Sequence, residues 1–349
     1  MSRSNESIDV LVSARVTAAQ LDRMRAIHPR LVIHGEPGGI AIMTVAEARA
    51  HGISISGLDY PEFRPDLDYA GLLSRAEVLF ATRIPPDVAA RAPRLRWIQF
   101  TSAGVDHLWN RSLSDAQITV TSTKGIHASP MAEFVMSCLL MFAKGWRRLW
   151  QQQQDHRWQP FLLEELSGKS VVLLGIGEIG RGVGRVAKAF GMHVIGVGRR
   201  ESRDGCPPEL DEQASVASLD QVLPRADYVV ASLPLTRKTR GLLDEQAFRA
   251  MKPSTIFVNV GRGRTVDEGA LIRALREGWI AGAALDVFEQ EPLAADSPVW
   301  DVPNLLVCPH MGSDTPRYTE RMTEVLYDNL LRYAEGRPLR NVVDPEEGY

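Results

Sequence analysis

The feature that most constrains the fold is a glycine pattern that follows a short apolar run. Val171 to Leu174 is a predicted strand, and Gly175-Ile-Gly177-Glu-Ile-Gly180 comes directly after it and opens a helix predicted to reach about Phe190. A further strand is predicted from His193. Glycines at the spacing G-x-G-x-x-G, between a strand and a helix, permit a tight turn, a close approach of a pyrophosphate to the backbone, and close helix packing. The pattern predicts a dinucleotide site, and a glycine-rich turn that binds nothing is the alternative.

The end of the next strand bears on which dinucleotide is bound. The strand ends in Val197-Gly198-Arg199-Arg200, so Gly198 stands where an NAD-binding chain usually has an acidic residue for the ribose hydroxyl. Arg199 and Arg200 could bind a 2′-phosphate through charge-assisted hydrogen bonds, which an adenosine diol cannot match. We therefore predict that NADP(H) is preferred, with NAD(H) possible. The alternative is a solvated arginine pair, with Glu201 turned to the ribose.

Short β-rich runs recur between helical stretches along most of the chain. Because strands covered on both faces are nearly continuous apolar runs, this alternation predicts an α/β fold with a parallel sheet. The later strands are predicted at Val171 to Leu174, His193 to Val197, Tyr228 to Leu233, Thr255 to Val260, Gly282 to Val287 and Leu305 to Cys308. Earlier strands are predicted at Ile8 to Val12, Val78 to Ala81 and Trp97 to Phe100, and a length of 349 residues suggests a second, smaller α/β domain there.

Two helices are predicted from their apolar patterns. Residues from Ser129 to Trp150 are apolar on most sides, which predicts one helix that is buried all round. A tail helix is predicted from about Thr319 to Glu335, because an amphipathic pattern there is followed by Gly336 and Pro338.

Composition excludes several classes of partner. A formal net charge of -3 argues against bulk attraction to nucleic acid or to anionic lipid. The amino terminus lacks a signal-peptide pattern and no apolar run reaches the ~20 residues of a membrane span, so a cytoplasmic protein without a membrane partner is expected. The three cysteines, Cys138, Cys206 and Cys308, have no metal-type spacing, and no metal site is predicted.

Three later segments place chemically active side chains just after predicted strands. They are Asn259-Val-Gly-Arg262-Gly-Arg-Thr-Val-Asp267-Glu, Leu285-Asp286-Val-Phe-Glu289-Gln-Glu291-Pro, and Val307-Cys-Pro-His310-Met-Gly-Ser. Because ligands bind at the carboxyl ends of the strands in an open α/β sheet, an arginine, a glutamate and a histidine are expected to meet there. Taken singly, each of these residues is more often a solvated charge or a strand cap.

These segments, in this order and spacing, resemble the signature regions of the D-isomer-specific 2-hydroxyacid dehydrogenases over nearly the whole chain. The resemblance implies two Rossmann-like or flavodoxin-like domains, with the cofactor domain inserted into the substrate domain. It would place the NAD(P)-binding domain at residues 126–315 and the substrate domain at residues 1–125 and 316–349. It also implies a homodimer.

The resemblance assigns the catalytic roles residue by residue. Arg262 would bind and polarise the substrate, His310 would be the acid/base, and Glu291 would be the partner of His310. Glu291 is preferred because the family glutamate directly precedes a proline, here Pro292, although Glu289 is chemically equivalent. A neighbouring carboxylate favours imidazolium and so raises the pKa of the histidine.

The resemblance further implies the binding residues. Asp286 resembles the family residue that holds the nicotinamide carboxamide. The implied cofactor contacts are Gly175, Gly177, Glu178, Ile179, Gly180, Arg199, Arg200, Leu233, Pro234, Thr239, Val260, Gly261, Asp286, His310 and Gly312. The implied substrate contacts are Ala103, Gly104 and Val105, through backbone N–H groups, together with Arg262 and His310. For the loop at 103–105, a plain strand-to-helix turn is the alternative.

The expected activity is hydride transfer between a nicotinamide and the C2 atom of a small 2-oxo or 2-hydroxy acid. A glyoxylate, hydroxypyruvate or general 2-ketoacid reductase is expected, and the sequence does not specify the side chain of the acid. Two alternatives are kept: a nucleotide-sensing interaction protein of the corepressor type, and a related dehydrogenase for another acid.

Overall fold

The computed structural model describes residues 6–50, 67–105, 111–199 and 206–344. The chain divides into two compact units. The first comprises Met1–Ile126 and Pro316–Tyr349, and the second comprises His127–Thr315. The second unit is thus an insertion between the two parts of the first.

The first unit is built on a five-stranded parallel sheet. Its strands are β1 (Ile8–Val12), β2 (Leu31–His34), β3 (Val78–Ala81), β4 (Trp97–Phe100) and β5 (Thr119–Thr121). They are ordered β2-β1-β3-β4-β5, which is the flavodoxin-like order. β3 and β4 are buried at every position, which matches the continuous apolar sequence of β3 and the apolar sequence of β4, where Gln99 is the one polar residue.

Helices flank this sheet. They are α1 (Ala18–Ile27), α2 (Val45–Ala50), α3 (Tyr69–Arg75), α4 (Val88–Arg91) and α5 (Arg111–Asp115), with α12 (Tyr318–Ala334) from the end of the chain. Thr17 caps α1 in a capping box with Gln20. The tail helix α12 is confirmed within a residue at each end, and Leu326 and Leu330 on its apolar face are fully buried.

The second unit contains a seven-stranded parallel sheet. Its strands are β6 (Ser170–Leu174), β7 (His193–Gly198), β8 (Glu212–Ser215), β9 (Tyr228–Ala231), β10 (Ile256–Asn259), β11 (Gly282–Leu285) and β12 (Leu305–Val307). The order β12-β11-β10-β9-β6-β7-β8 reverses between β6 and β9, as in a dinucleotide-binding fold. The predicted α/β class with two parallel sheets is confirmed.

The helices of this unit are α6 (Ala128–Ala143), α7 (Trp146–Gln154), α8 (Glu178–Ala189), α9 (Leu219–Val222), α10 (Glu245–Ala250) and α11 (Glu268–Arg276). The prediction of one continuous helix from Ser129 to Trp150 is wrong. Gly145 has a left-handed backbone (φ 60) that separates α6 from α7. Burial all round is wrong as well, because Trp146 and Trp150 are exposed.

Among the helices in the described ranges, none has the length and apolar character needed to cross a membrane. Within the same ranges, no group of histidine, cysteine, aspartate and glutamate side chains is arranged to hold a metal ion.

Candidate active site

The turn between β6 and α8 holds the three glycines of the predicted dinucleotide motif. Gly175 has φ +99, a backbone region that side chains with a Cβ rarely adopt, and its carbonyl accepts a hydrogen bond from Ser232 Oγ at 3.1 Å. A Cβ at Gly180 would lie 2.0 Å from the carbonyl oxygen of Gly175. Gly180 therefore lets α8 start close against the end of β6.

Gly177 has a different environment from the other two glycines. A Cβ built on it meets no atom within 4 Å, so packing within the protein does not demand a glycine there. Gly177 is the N-cap of α8, and Glu178 and Ile179 form the first helical positions. The free N–H groups and dipole of a helix start attract a phosphate, and the open space at Gly177 fits its approach to the backbone. These residues fit the pyrophosphate of a dinucleotide.

The connection after β7 carries the predicted cofactor-selecting residues. Gly198 is buried as the last residue of the strand, and Arg199 is exposed directly after it. Arg200 lies outside the described residues. The described part of this connection therefore begins with a positively charged, exposed side chain.

The segment after β9 lies beside the glycine turn, because β9 and β6 are neighbours. Leu233 is buried and Pro234 follows it. Thr239 Oγ1 donates to the carbonyl of Pro234 at 2.6 Å and accepts from the N–H of Thr236 at 2.8 Å. Thr239 therefore shapes this loop.

Arg262 is held by a buried amide that the sequence interpretation did not single out. Asn259, 1% exposed at the end of β10, accepts from the N–H of Gly261 at 3.0 Å and donates to the carbonyl of Arg262 at 3.2 Å. Thr265 Oγ1 donates to the same carbonyl at 2.7 Å. A polar residue at the end of an apolar strand was the available signal for Asn259.

His310 and Glu291 form a direct pair. His310 Nδ1 and Glu291 Oε2 lie 2.6 Å apart, and Glu291 Oε1 accepts from the N–H of Phe288 at 2.9 Å. The two side chains remain 50% and 34% exposed, respectively. Within the described residues, the second ring nitrogen, Nε2, has no hydrogen-bond partner. Glu289, the chemically equivalent alternative, is exposed, and it is Glu291 that pairs with the histidine.

The pairing changes the proton affinity of both groups. The hydrogen bond and charge of Glu291, with the charge of Asp286, raise the pKa of His310 against the opposing effects of burial and of Arg262. Burial acts to raise the pKa of Glu291, but the hydrogen bonds from His310 and the Phe288 N–H bring it below its usual value. Relative to an isolated histidine and glutamate, the pairing therefore favours the imidazolium and the carboxylate.

Asp286 fixes the turn that carries His310. This side chain is 2% exposed, and its Oδ1 accepts from the N–H groups of Met311 at 2.9 Å and Gly312 at 3.0 Å. His310 itself has φ 52, an uncommon conformation for a residue with a side chain. A Cβ at Gly312 would lie 2.9 Å from Asp286 Oδ2, so this carboxylate approaches the turn closely.

The loop after β4 in the first unit has backbone N–H groups without acceptors among the described residues. The carbonyl of Thr101 accepts from Thr123 Oγ1 at 2.6 Å and from Tyr318 OH at 2.9 Å, and the carbonyl of Ser102 accepts from the N–H of Thr123 at 3.1 Å. Within the described residues, no acceptor pairs with the N–H groups of Ala103 to Val105. Consecutive N–H groups of this kind can bind an anion.

Comparisons with known proteins identify the family. The profile for the D-isomer specific 2-hydroxyacid dehydrogenase, NAD binding domain, matches residues 136–312. A glyoxylate reductase from Aeropyrum pernix is 37% identical over 295 residues, which cover 80% of this chain and 87% of that protein. The chain belongs to this family.

Solved structures of D-isomer specific 2-hydroxyacid dehydrogenases have the same architecture. One from Xanthobacter autotrophicus Py2, in complex with NADPH and MES, is 28% identical, with a TM-score of 0.77 over 99% of this chain and 100% of that one. An NADPH-dependent glyoxylate/hydroxypyruvate reductase from Sinorhizobium meliloti, in complex with NADP and sulfate, is 25% identical, with a TM-score of 0.74 over the same shares of the two chains.

As a member of the D-isomer specific 2-hydroxyacid dehydrogenases, the protein is an NAD(P)-dependent oxidoreductase that acts on 2-hydroxy acids. Arg262, Glu291 and His310 follow β10, β11 and β12, which are adjacent parallel strands. All three therefore leave the sheet at its carboxyl edge. The loop at Ala103 to Val105 belongs to the other unit.

Proposed function

We propose that this protein is an NADP(H)-preferring D-2-hydroxyacid dehydrogenase that acts as a 2-oxo acid reductase. The observation that carries the proposal is the 2.6 Å contact between His310 Nδ1 and Glu291 Oε2, at the carboxyl edge of a dinucleotide-binding sheet. Residues 126–315 would bind the cofactor, and residues 1–125 and 316–349 would bind substrate. Bound NADPH would supply the hydride to C2 of the substrate.

His310 acts as the acid in reduction. Its Nε2 proton moves to the oxygen on C2 as the hydride arrives, and the same nitrogen accepts that proton when a 2-hydroxy acid is oxidised. Glu291 keeps the ring oriented through Nδ1 and stabilises the imidazolium, which raises the pKa of His310. A raised pKa extends to higher pH the range over which the ring stays protonated and can donate.

Arg262 binds the substrate. Its guanidinium matches the planar geometry of a carboxylate and can also polarise the adjacent C2 carbonyl. The two hydrogen bonds from Asn259 and Thr265 to the Arg262 carbonyl fix its backbone. The backbone N–H groups of Ala103 to Val105 are further donors for the substrate carboxylate.

The preference for NADP(H) rests on charge. Arg199 and Arg200 follow Gly198, which leaves this strand end without an acidic residue to repel a 2′-phosphate. The structures of the relatives from X. autotrophicus and S. meliloti hold NADPH and NADP, respectively. NAD(H) would bind through the same glycine turn, without the arginine contacts.

Glyoxylate and hydroxypyruvate are the leading substrates, because the named relatives reduce glyoxylate or both acids. Oxidation of NADPH and of NADH is followed by absorbance with glyoxylate, hydroxypyruvate, pyruvate and phenylpyruvate. The expected result is faster oxidation of NADPH with at least one acid. Tight NADPH binding without turnover on any acid would favour the nucleotide-sensing alternative instead.

A homodimer is the proposed assembly. Trp146, Leu149 and Trp150 share one face of α7, and Trp158 and Leu162 just beyond it are 97% and 99% exposed. Removing apolar side chains of this size from water lowers the free energy of the system. A second copy of the chain would cover them. The double substitution Trp158→Glu with Leu162→Glu is expected to halve the mass measured by light scattering, whereas Trp300→Ala is expected to leave it unchanged. A wild-type monomer would contradict this assembly.

A further inference from the structure

The loop that carries Glu291 is in close contact with the segment that follows Arg262. A Cβ at Gly263 would lie 1.9 Å from the carbonyl carbon and oxygen of Phe288 and 2.5 Å from the nitrogen of Glu289. No side chain larger than hydrogen fits that space without displacing the Phe288–Glu289 peptide. The two backbones therefore meet at Gly263.

Two side chains of the same segment hold the backbone of Glu289 on both sides. Arg264 Nε donates to the Glu289 carbonyl at 3.3 Å, and Glu268 Oε2 accepts from the Glu289 N–H at 3.2 Å. Glu268 is the first residue of α11, whose start is fixed by the N-cap Asp267 through its hydrogen bond from the N–H of Ala270 at 2.8 Å. Glu268 therefore extends from the capped start of α11.

The hydrogen bonds to the Glu289 backbone also affect the position of Glu291. Glu291 is two residues beyond the held peptide, and its Oε1 also accepts from the neighbouring N–H of Phe288. We propose that Glu268 and Arg264 are positioning residues for the reaction, because they fix the backbone from which Glu291 reaches His310. This inference rests on the proposed role of the His310–Glu291 pair. Neither residue contacts the reacting atoms itself.

The first test measures the proton affinity of His310 without substrate. The charged groups that act on its ring are Glu291, Asp286 and Arg262, and the substitutions leave all three in the chain. NMR titration of the histidine rings, with His310→Gln for assignment, is expected to give a lower pKa in Glu268→Ala than in wild type, shifted toward the value in Glu291→Gln. An unchanged pKa in Glu268→Ala or in Glu291→Gln would overturn the proposal.

A conservative variant separates the hydrogen bond from the charge. Glu268→Gln keeps an oxygen that can accept from the Glu289 N–H, so its His310 pKa is expected to stay close to wild type. A matched control is Glu277→Ala at the other end of α11, where the carboxylate accepts from Trp279 Nε1 at 3.0 Å. Glu277→Ala is expected to leave the pKa unchanged. A Glu268→Gln pKa as low as that of Glu268→Ala would mean that charge alone acts, and would refute positioning.

Turnover provides the second test. In Glu268→Ala and Arg264→Ala, kcat for 2-oxo acid reduction is expected to fall about tenfold, with the KM for NADPH within about twofold of wild type, because misplacement of the acid/base pair affects chemistry more than cofactor binding. Wild-type kcat in Glu268→Ala would contradict the proposal. Wild-type protein that turns over no 2-oxo acid would contradict the reductase function, and the NMR titration would still decide the positioning role.

Discussion

Two histidine–carboxylate pairs in the second unit have nearly the same length but lie at opposite edges of one sheet. His310 Nδ1 is 2.6 Å from Glu291, beyond the carboxyl end of β12, whereas His193 Nε2 is 2.7 Å from Glu212, at the amino ends of β7 and β8. Glu212 is also bound by Arg225 at 2.6 Å. Ligands bind at the carboxyl edge of such sheets. We therefore expect that a histidine–carboxylate pair acts in catalysis only where the fold also places it at the ligand-binding edge of the sheet.

The largest expected effect is the loss of the proton donor. His310→Ala is expected to lower kcat about 10²–10⁴-fold, because general acid catalysis contributes on that scale. NADPH binding, measured by fluorescence titration, is expected to persist. His193→Ala removes the other paired histidine and is expected to leave kcat unchanged, so equal losses in the two variants would break the comparison.

Each histidine–carboxylate pair also has an arginine nearby: Arg262 at the carboxyl edge and Arg225, which binds Glu212, at the amino edge. Arg262→Lys keeps the charge but loses the planar fork, and the KM for the 2-oxo acid is expected to rise about tenfold to a hundredfold. The KM for NADPH is expected to change far less. Steady-state kinetics with both substrates checks this, with Arg225→Lys as the control. A larger effect on NADPH than on the acid would refute the substrate role of Arg262.

A smaller effect is expected at the cofactor-selecting arginines, which contribute charge at the end of β7. Reversing both charges with Arg199→Glu and Arg200→Glu is expected to raise the KM for NADPH about tenfold and to change that for NADH much less. The ratio of the two KM values serves as the internal control. An equal rise for both nucleotides would contradict the NADP(H) preference.

Much of the fold follows from local sequence pattern. The predicted β1, β3 and β4 match the structure residue for residue. β3 is a continuous apolar run that is buried at every position, and the mostly apolar runs of β1 and β4 are each interrupted by one polar residue, Asp9 and Gln99. The predicted ends of β9, β10 and β11 each extend too far. Leu233, Val260 and Val287 are apolar and buried, yet they already belong to the connections at the carboxyl edge.

Three strands in the described part of the chain were not predicted. β2 was missed although Leu31 to Ile33 is an apolar run, whereas the other two lack such a pattern. β8 has the polar sequence of Glu212 to Ser215 at the edge of the sheet, and β5 has three residues, so neither gives a strong strand signal. Gly145 lies within an apolar helical pattern that continues past it, and its left-handed backbone interrupts the helix there. The ties from Asn259, Glu268 and Asp286 to backbone groups of neighbouring segments depend on three-dimensional proximity, which spacing along the chain does not reveal.

The pH dependence of reduction tests the account most directly. Reduction needs protonated His310, and Glu291 raises the pKa of that ring, so kcat/KM is expected to be high at low pH and to fall as the pH rises through the raised pKa. In Glu291→Gln this alkaline fall is expected to move to lower pH, whereas Glu212→Gln is expected to leave it in place. An alkaline fall at the same pH in wild type and Glu291→Gln would contradict the account.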